Sequence, residues 1–574
     1  MSSEISVKAD VLVIGGGLAG CFAAVKAKEH GADVVLVDKG YVGKTGGSPY
    51  AAQTMVFNPE WGHDFEALME QVNVLGEYVN NRLWNEIVFK ESYDRFKDLQ
   101  SYGVKFIEEN GKVAQFPSPI TELDFPDKDK FPPLVCQVVK WLPGWTEALR
   151  KKVKESGVVL MERVMIHELI KQDEGITGAV GYPVDKEEPV VFNTKAVVIA
   201  AGGGGFRPVD YPTHELTADG AALAYRVGAM VTGKEFVSPN LPGELEPHPG
   251  WKPAVFKYGR QGPTPPEGEG QMPSGEKRRK PMIPFLAPMF NAEGDEVPHR
   301  GMSWHGYIDV HHEVHAGRGP VWVEGPGGRK INFNGPGAAG SLHGHSCAGI
   351  FPADTDCSVG IPGLYAAGDS LGTQFVGATY SGFGFATAYA TVTGARAGKA
   401  AGEFAVNAGS INLENNNIEA IKKSIREPLE RKGGFSPRWI TEILRSYMNP
   451  YFVMYIKHED RLKAALMNVE FIRDHLVPKM VANDAHELRL AHETRSMVLN
   501  AEMKLRSSLF RKESRGNHYR EDYPKRYDPE WLAWVLIKDE GGKMTLSKKP
   551  MPKEWWPDLD KPYDEIYPLQ FPEN

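Results

Sequence analysis

Residues 9–20, ADVLVIGGGLAG, decide the fold of this 574-residue chain. Val11, Leu12, Val13 and Ile14 form an uninterrupted apolar run, the mark of a strand buried on both faces of a parallel sheet. Gly15, Gly17 and Gly20 follow as GxGxxG. The first glycine allows the tight turn, the second lets a diphosphate approach the backbone, and the third lets the next helix pack against the strand. The helix CFAAVKAKEHG comes next, its N-terminal amides placed to bind phosphate oxygens. ADVVLVDKG then reads as a second buried strand ending in Asp38, positioned for a ribose hydroxyl. Strand, turn, helix, strand and acid in this order predict a dinucleotide site.

The rest of the composition bounds what surrounds that site. The length exceeds one core and allows two to four domains, and 61 glycines and 42 prolines imply many turns and long loops. A formal charge of −8 is too small to create a field for nucleic acid or an anionic membrane, so neither partner is expected. Cys21, Cys136, Cys347 and Cys357 contain no CxxC pair, which points away from a disulfide framework and from an internal iron–sulfur cluster. A reducing, cytoplasmic setting is expected. The run VLVI is far too short to span a bilayer, so any membrane association would come through a partner.

Two distant segments select the nucleotide. KAVVIAAGGGG (195–205) and GLYAAGDS (363–370) each read as a buried strand ending in glycine, so the chain leaves the nucleotide fold twice and returns twice. In two-dinucleotide-fold flavoproteins the first resembles the strand returning beneath the dinucleotide, with Gly202 in its loop. The second resembles the strand whose Gly368-Asp369 holds the ribityl chain. YSGFGFATAYATVTGARAGKAA is a glycine-led helix whose N-terminus suits the N1–C2=O edge of a reduced flavin. The expected cofactor is FAD.

Together these pieces resemble the flavoprotein subunits of succinate dehydrogenase and fumarate reductase and the related alpha subunit of adenylylsulfate reductase, over most of the chain. THELTADGAALAYRVGAM (213–230) is similar to the family's TGDG helix, which implies Thr217 and Asp219 near the flavin. LFRKESRGNHYREDYPKRYDPEWLAWVL (509–536) is similar to the ESRG…DYP tail, and the tail looks closest to the adenylylsulfate reductase branch. The resemblance implies an α/β fold: a Rossmann-like FAD-binding domain with an inserted α+β capping domain and a C-terminal helical domain. The expected division is 1–235 for the first part of the FAD-binding domain, with a helical insertion at about 60–145, then 236–345 for the cap. Residues 346–405 return to the FAD domain, 406–510 form the helical domain and 511–574 a tail.

Departures from the family pattern carry equal weight. In GGSPYAAQTMV (46–56), Ser48 stands near the place of the histidine that binds flavin covalently, before Gln53, so noncovalent FAD is expected. In GATYSGFGF (377–385), Tyr380 occupies the place of the arginine that clamps a dicarboxylate, followed by Ser381 and Gly382. A succinate or fumarate substrate is therefore disfavoured. Val255 stands at the catalytic arginine of the adenylylsulfate branch, whereas LHGHSCAGI (342–350) retains a histidine, His345, expected beside the isoalloxazine. In HRGMSWHGYIDVHHEVHAGRGP (299–320), Arg300 or Arg318 could take the place of the family's proton-delivering arginine with a shifted alignment, and Arg318 is the candidate carried forward.

His311, His312 and His315 share one helix face with Glu313 between them. Metal chelation, a proton relay and ordinary structural histidines are all open readings, although HHEVH departs from HExxH and the family needs no metal. KRRK (277–280) reads as a solvated loop; Trp251, Trp304 and Trp322 suit either a pocket for a ring-bearing substrate or core packing. The expected chemistry is hydride exchange between flavin N5 and an organic substrate at a carbon–carbon bond, with Tyr380, His345 or Arg318 handling the proton. The alternatives are flavin chemistry on a sulfur oxyanion and an electron-transfer flavoprotein without its own substrate. An iron–sulfur partner subunit is implied by the resemblance.

Overall fold

The opening apolar run becomes strand β1 (Ile5–Ile14), with Val11, Leu12 and Val13 fully buried in a seven-stranded sheet. The computed structural model describes residues 5–117, 137–186, 188–207, 215–237, 289–297, 309–310, 312–313, 316–325, 329–332, 347–380, 382, 384–409, 418–567 and 571. Helix α1 (Leu18–Glu29) leads to β2 (Val34–Asp38), parallel to β1 in the register Val11↔Val34 to Ile14↔Val37. β3 (Val159–Glu162) adds in parallel to β2. A meander forms as β4 (Val164–Gln172), β5 (Gly175–Pro183) and β6 (Val190–Ile199), antiparallel in turn, while β6 runs parallel to β1.

On the edge away from β1, strand β6 serves two neighbours along its length. Its first half pairs with β5, and Val197–Ile199 pair in parallel with the strand that returns much later in the chain. β1, β2 and β6 are rich in valine and isoleucine, which pack well on a pleated surface buried from both sides.

The segment assigned to the insertion is helical at Phe65–Leu75 and Arg82–Ser101, but it also contributes strands. Gln115–Pro117 and Gln137–Lys140 join Gln53–Val56 in a small antiparallel sheet. Helix α2 (Asp219–Arg226) precedes β7 (Val231–Thr232), and the cap region contains a four-stranded sheet of Met289–Phe290, Glu296–Val297, Trp322–Gly325 and Arg329–Asn332. β8 (Gly349–Ile350) pairs with β7, and β9 (Leu364–Ala366) brings the chain back to the nucleotide sheet.

The long helix α3 (Phe385–Asn407) then lies on α1. Gly394, Gly398 and Gly402, spaced one turn apart, make that contact. A Cβ on Gly398 would stand 2.2 Å from the Ala23 carbonyl oxygen and one on Gly394 2.4 Å from that of Ala19. The stripe of missing side chains is what lets two helices approach backbone to backbone. Helices Ile418–Glu430, Pro437–Met448, Glu459–Phe471 and α4 (Ala485–Phe510) form the expected bundle.

The C-terminal segment is more than a tail. β10 (Ala533–Glu540) and β11 (Lys543–Pro550) form a hairpin closed by Gly541 and Gly542, both at positive φ as a two-residue hairpin loop demands. β10 pairs with β7, giving a sheet ordered β8–β7–β10–β11. The hairpin thereby ties the end of the chain to the segment leading into the cap.

Candidate functional site

The glycine turn has the geometry its spacing predicts. Gly15 has φ +105°, and a Cβ there would meet the Ala200 carbonyl oxygen at 2.4 Å. A Cβ on Gly20 would stand 1.8 Å from the Gly15 oxygen, so helix and strand can meet only through glycine. Gly17 caps α1 without a side chain of its own, and Ser48 Oγ accepts the Leu18 N–H at 2.9 Å. Ser48 therefore stands over the phosphate-binding end of α1.

Asp38 ends β2, almost wholly buried. Its Oδ2 accepts the Gly16 N–H at 2.7 Å, while Oδ1 accepts from the Gly40 N–H and the Thr45 hydroxyl. The carboxylate thus shapes the turn itself. Lys39, beside it, gathers the elements behind. Its ammonium donates to Thr217 Oγ1 at 2.7 Å and Asp219 Oδ2 at 2.8 Å and pairs with Glu493 of α4 at 2.9 Å. Burial works against its charge, but the carboxylates of Asp219 and Glu493 prevail and hold its pKa above the ordinary lysine value. Glu493 is in turn held below the carboxylate range, since Lys39, Arg207 and Arg489 outweigh its burial. Thr217 and Asp219 are thereby brought together with the nucleotide turn. Ala218 between them adopts φ +63°.

The two returning strands meet at the next layer. β9 ends in the turn Gly368–Ser370, where the Gly368 N–H donates to Thr393 Oγ1 and Ser370 Oγ donates to the Gly202 carbonyl at 3.1 Å. Gly202 and the Gly368-Asp369 pair are therefore one surface. Gln53 joins it: its carbonyl accepts from Thr387 Oγ1 at 2.8 Å, and the Met55 N–H donates to the Gly384 carbonyl at 2.9 Å. The loop of Ser48 and Gln53 consequently abuts the start of α3.

Tyr380 caps that start. Gly384, at φ +89°, has no capping side chain, and the Tyr380 hydroxyl accepts the Ala386 N–H at 2.9 Å. Gly382 is buried in the same turn and its carbonyl accepts the Phe385 N–H. Burial drives the Tyr380 phenol well above the ordinary tyrosine pKa; the Ala386 N–H opposes this and the Asp369 carboxylate adds to it. The loop rests on the ESRG turn of the C-terminal segment. The Asn517 N–H donates to the Ala378 carbonyl, and a Cβ on Gly516 would lie 2.5 Å from that oxygen.

Other expectations end differently. Arg318 is not brought to this surface: it lies 41% exposed with its guanidinium forked on Glu313 at 2.7 and 2.8 Å. A long, exposed cation is stabilised where it finds a carboxylate, and Glu313, held low chiefly by that pair, provides one. His312 Nε2 is 3.0 Å from the Tyr519 hydroxyl, docking the cap on the C-terminal segment, and Trp322 stacks on Phe290. Among the described residues no group of three or more His, Cys, Asp or Glu side chains is arranged to hold a metal. His345, Ser381, His311, His315, Val255, Trp251, Trp304 and residues 277–280 lie outside the described residues.

Residues that reading by pattern missed are chiefly cations and carboxylates on helices. Lys39 had a signal, directly after the acid of β2. Glu493 had none, because a charged residue on a helix reads as solvent-facing until the neighbours are known.

The arrangement fits FAD: an open helix N-terminus for the diphosphate, an acid at the end of β2, and a second glycine-led helix beneath the place of the ring. Residues 10–250 match the FAD binding domain family, and residues 442–562 match the fumarate reductase flavoprotein C-terminal family. An uncharacterized FAD-dependent oxidoreductase of Methanocaldococcus jannaschii is 28% identical, the match covering 94% of this chain and 98% of that one. One subunit of the fumarate reductase (CoM/CoB) of Methanothermobacter marburgensis is 27% identical over the same shares. The solved adenylylsulfate reductase of Archaeoglobus fulgidus superposes with a TM-score of 0.73 at 20% identity, covering 96% of each chain, and so shares the fold. Two matched family models on the two ends of one chain, joined by full-length relatives, make this protein an FAD-dependent oxidoreductase of the fumarate reductase/succinate dehydrogenase flavoprotein family.

Proposed function

We propose that the enzyme exchanges a hydride with a carbon–carbon single or double bond of an organic substrate that is not a small dicarboxylate. What supports this is Tyr380: the resemblance aligns it with the clamp of a dicarboxylate enzyme, which would require a cation, and it is a neutral, half-buried phenol engaged by the Ala386 N–H. Bound FAD supplies the hydride chemistry at N5. Gly15, Gly17 and the N-terminus of α1 hold its diphosphate, and Asp38 its ribose. Gly202, Thr217, Asp219, Gly368, Asp369, Ser48, Gln53 and Gly382 would hold the rest of the cofactor, and the resemblance adds Ser381 to them.

Tyr380 donates or accepts the substrate proton through its hydroxyl, at the start of α3, whose N-terminal dipole favours negative charge nearby. His345 is the second proton-handling candidate. Arg318, engaged by Glu313, steadies the cap of residues 236–345, which excludes water from the ring. Electrons pass to or from a separate iron–sulfur subunit. The absence of a CxxC pair supports this, as does the naming of the Methanothermobacter relative as one subunit of its enzyme. No helix among the described residues is long and apolar enough to cross a membrane, and a cytoplasmic location, with any membrane contact through that partner, follows from this reading.

Two measurements test it. Acid precipitation of the yellow protein should release all FAD into the supernatant, because Ser48 offers a hydroxyl committed to the Leu18 amide and no imidazole; a pellet that stays yellow would overturn noncovalent binding. Anaerobically reduced enzyme should be reoxidised, at the flavin absorbance band, by enones or aromatic acyl compounds. Reoxidation by fumarate, or a spectral response to sulfite with AMP, would overturn the assignment of substrate class.

A further inference from the structure

Three buried lysines unused by the chemistry above gather where α4 passes behind the glycine loops. Lys234 follows β7, Lys457 lies in the two-residue strand Ile456–Lys457, and Lys504 lies one turn beyond Asn500 on α4. They are 3%, 0% and 1% exposed. Lys234 Nζ donates to Asn500 Oδ1 at 3.0 Å. Lys457 Nζ donates to the Glu235 carbonyl at 2.7 Å and meets His518 Nδ1 at 2.8 Å. Lys504 Nζ is buried without a hydrogen-bond partner among the described residues, as are Glu235 Oε2 and Gln374 Oε1.

The cluster shares its walls with the flavin loops. Asn500 Nδ2 reaches the Gly204 carbonyl at 3.5 Å, and Gln374 donates to the Cys347 carbonyl and to Thr232 Oγ1 at 3.0 Å. The Cys347 thiol feels both Lys504 and Asp369, the latter in the turn that closes β9. Through Asn500, one turn away on α4, and through Cys347, which both Lys504 and Asp369 influence, the lysine cluster adjoins the Gly204 loop and the turn that follows β9.

Its surroundings are unfavourable to a fixed charge. Lys234 and Glu235 face it from the loop after β7 and Cys347 from before β8. Lys457 faces it from its strand, with Arg511, His518 and Arg520 of the C-terminal segment behind. Ser507 and Ser508, on its own helix, are neutral. Burial and then Lys234 bring the Lys504 pKa down to about 7, against the pull of Cys347 and Glu235. Burial brings Lys234 to about 8. An unpaired buried ammonium is costly, so burial shifts Lys504 toward its neutral amine, and a negative charge arriving nearby would offset part of that cost.

We propose that Lys504 is a proton reservoir for the flavin: its neutral amine binds a proton from solvent when electrons arrive at the FAD and releases it when they leave. In balance, a pair of electrons from an external donor and one proton taken up at the flavin leave one net negative charge there. Lys504 gains the second proton, forming one N–H bond from its lone pair, and is itself neither oxidised nor reduced. The coupling is electrostatic, since a negative charge nearby favours the ammonium form.

The test is the midpoint potential of FAD in the holoenzyme, poised by an electrode with mediators between about pH 6 and pH 9, where the slope counts protons taken up per electron pair. Wild type should take up about one proton more than K504M in the range above about pH 7. K504R should also lose that proton, but its permanent charge should leave its potential above that of K504M. K234M removes the neighbouring charge, raises the proton affinity of Lys504 in the oxidised enzyme and should move the onset of the extra uptake to higher pH. The same slope in wild type and K504M would overturn the proposal. Should K504M fail to retain FAD, K234M decides: an unmoved onset overturns the proposal too. No substrate enters the experiment, so its outcome is independent of the substrate class.

Discussion

Replacing Arg515 by methionine should destabilise the holoenzyme by about 3–5 kcal/mol, the usual cost of removing one partner from a buried charge pair. The guanidinium is fully buried. Its Nε and Nη2 fork onto Glu513 at 2.7 and 2.9 Å, Nη2 also reaches Asp528 at 2.6 Å, and Nη1 donates to the Glu77 carbonyl and the Tyr567 hydroxyl. Methionine fills much of the volume but answers none of these acceptors. Glu513 would keep Arg511 and the Tyr527 N–H, while Asp528 would keep the Tyr567 hydroxyl and lose its cation. Because the adjoining Gly516-Asn517 turn supports Ala378, the loss should reach the loop that carries Tyr380. Urea titration read by tryptophan fluorescence and by release of FAD should show both transitions at lower denaturant than in wild type. A shift below about 1 kcal/mol would mean that the network is dispensable.

Tyr380→Phe should leave FAD bound and slow reoxidation of the reduced enzyme by an accepted substrate by about 10²–10⁴-fold, the range of a lost general acid. A smaller part of the phenotype is structural, since Ala386 loses its cap at a cost of about 1 kcal/mol. Single-turnover kinetics with bound FAD separate the two. A fall of less than about tenfold would assign Tyr380 to capping alone. The pH dependence has a definite sign. Folding raises the phenol pKa above its ordinary value of 10.0, so the proton-bearing form persists through that pH. Wild type should therefore show no alkaline loss of rate attributable to Tyr380 below pH 10; a loss there that disappears in Tyr380→Phe would contradict the assignment.

Much of this was legible in order and spacing. A strand, three glycines, a helix and an acid are local in the chain, and each residue there acts through its own backbone conformation or the absence of a Cβ, so Gly15, Gly20 and Asp38 could be placed from pattern alone. The hairpin at Gly541-Gly542 is equally local, a two-glycine loop between two paired strands. Arg318 could not be judged in this way, because a guanidinium is committed by whichever carboxylate lies within reach, and Glu313 claims it.

The sequence by itself determined the nucleotide fold, the FAD and the family, because these depend on backbone geometry and residue identity at fixed offsets. Only the tertiary structure decided that Tyr380 caps α3, that the ESRG turn props the loop beneath it, and that Lys39, Lys234, Lys457 and Lys504 are buried. The reason is physical: the ionisation and the role of a polar side chain follow from its burial and from the charges around it, and those neighbours come from segments hundreds of residues away.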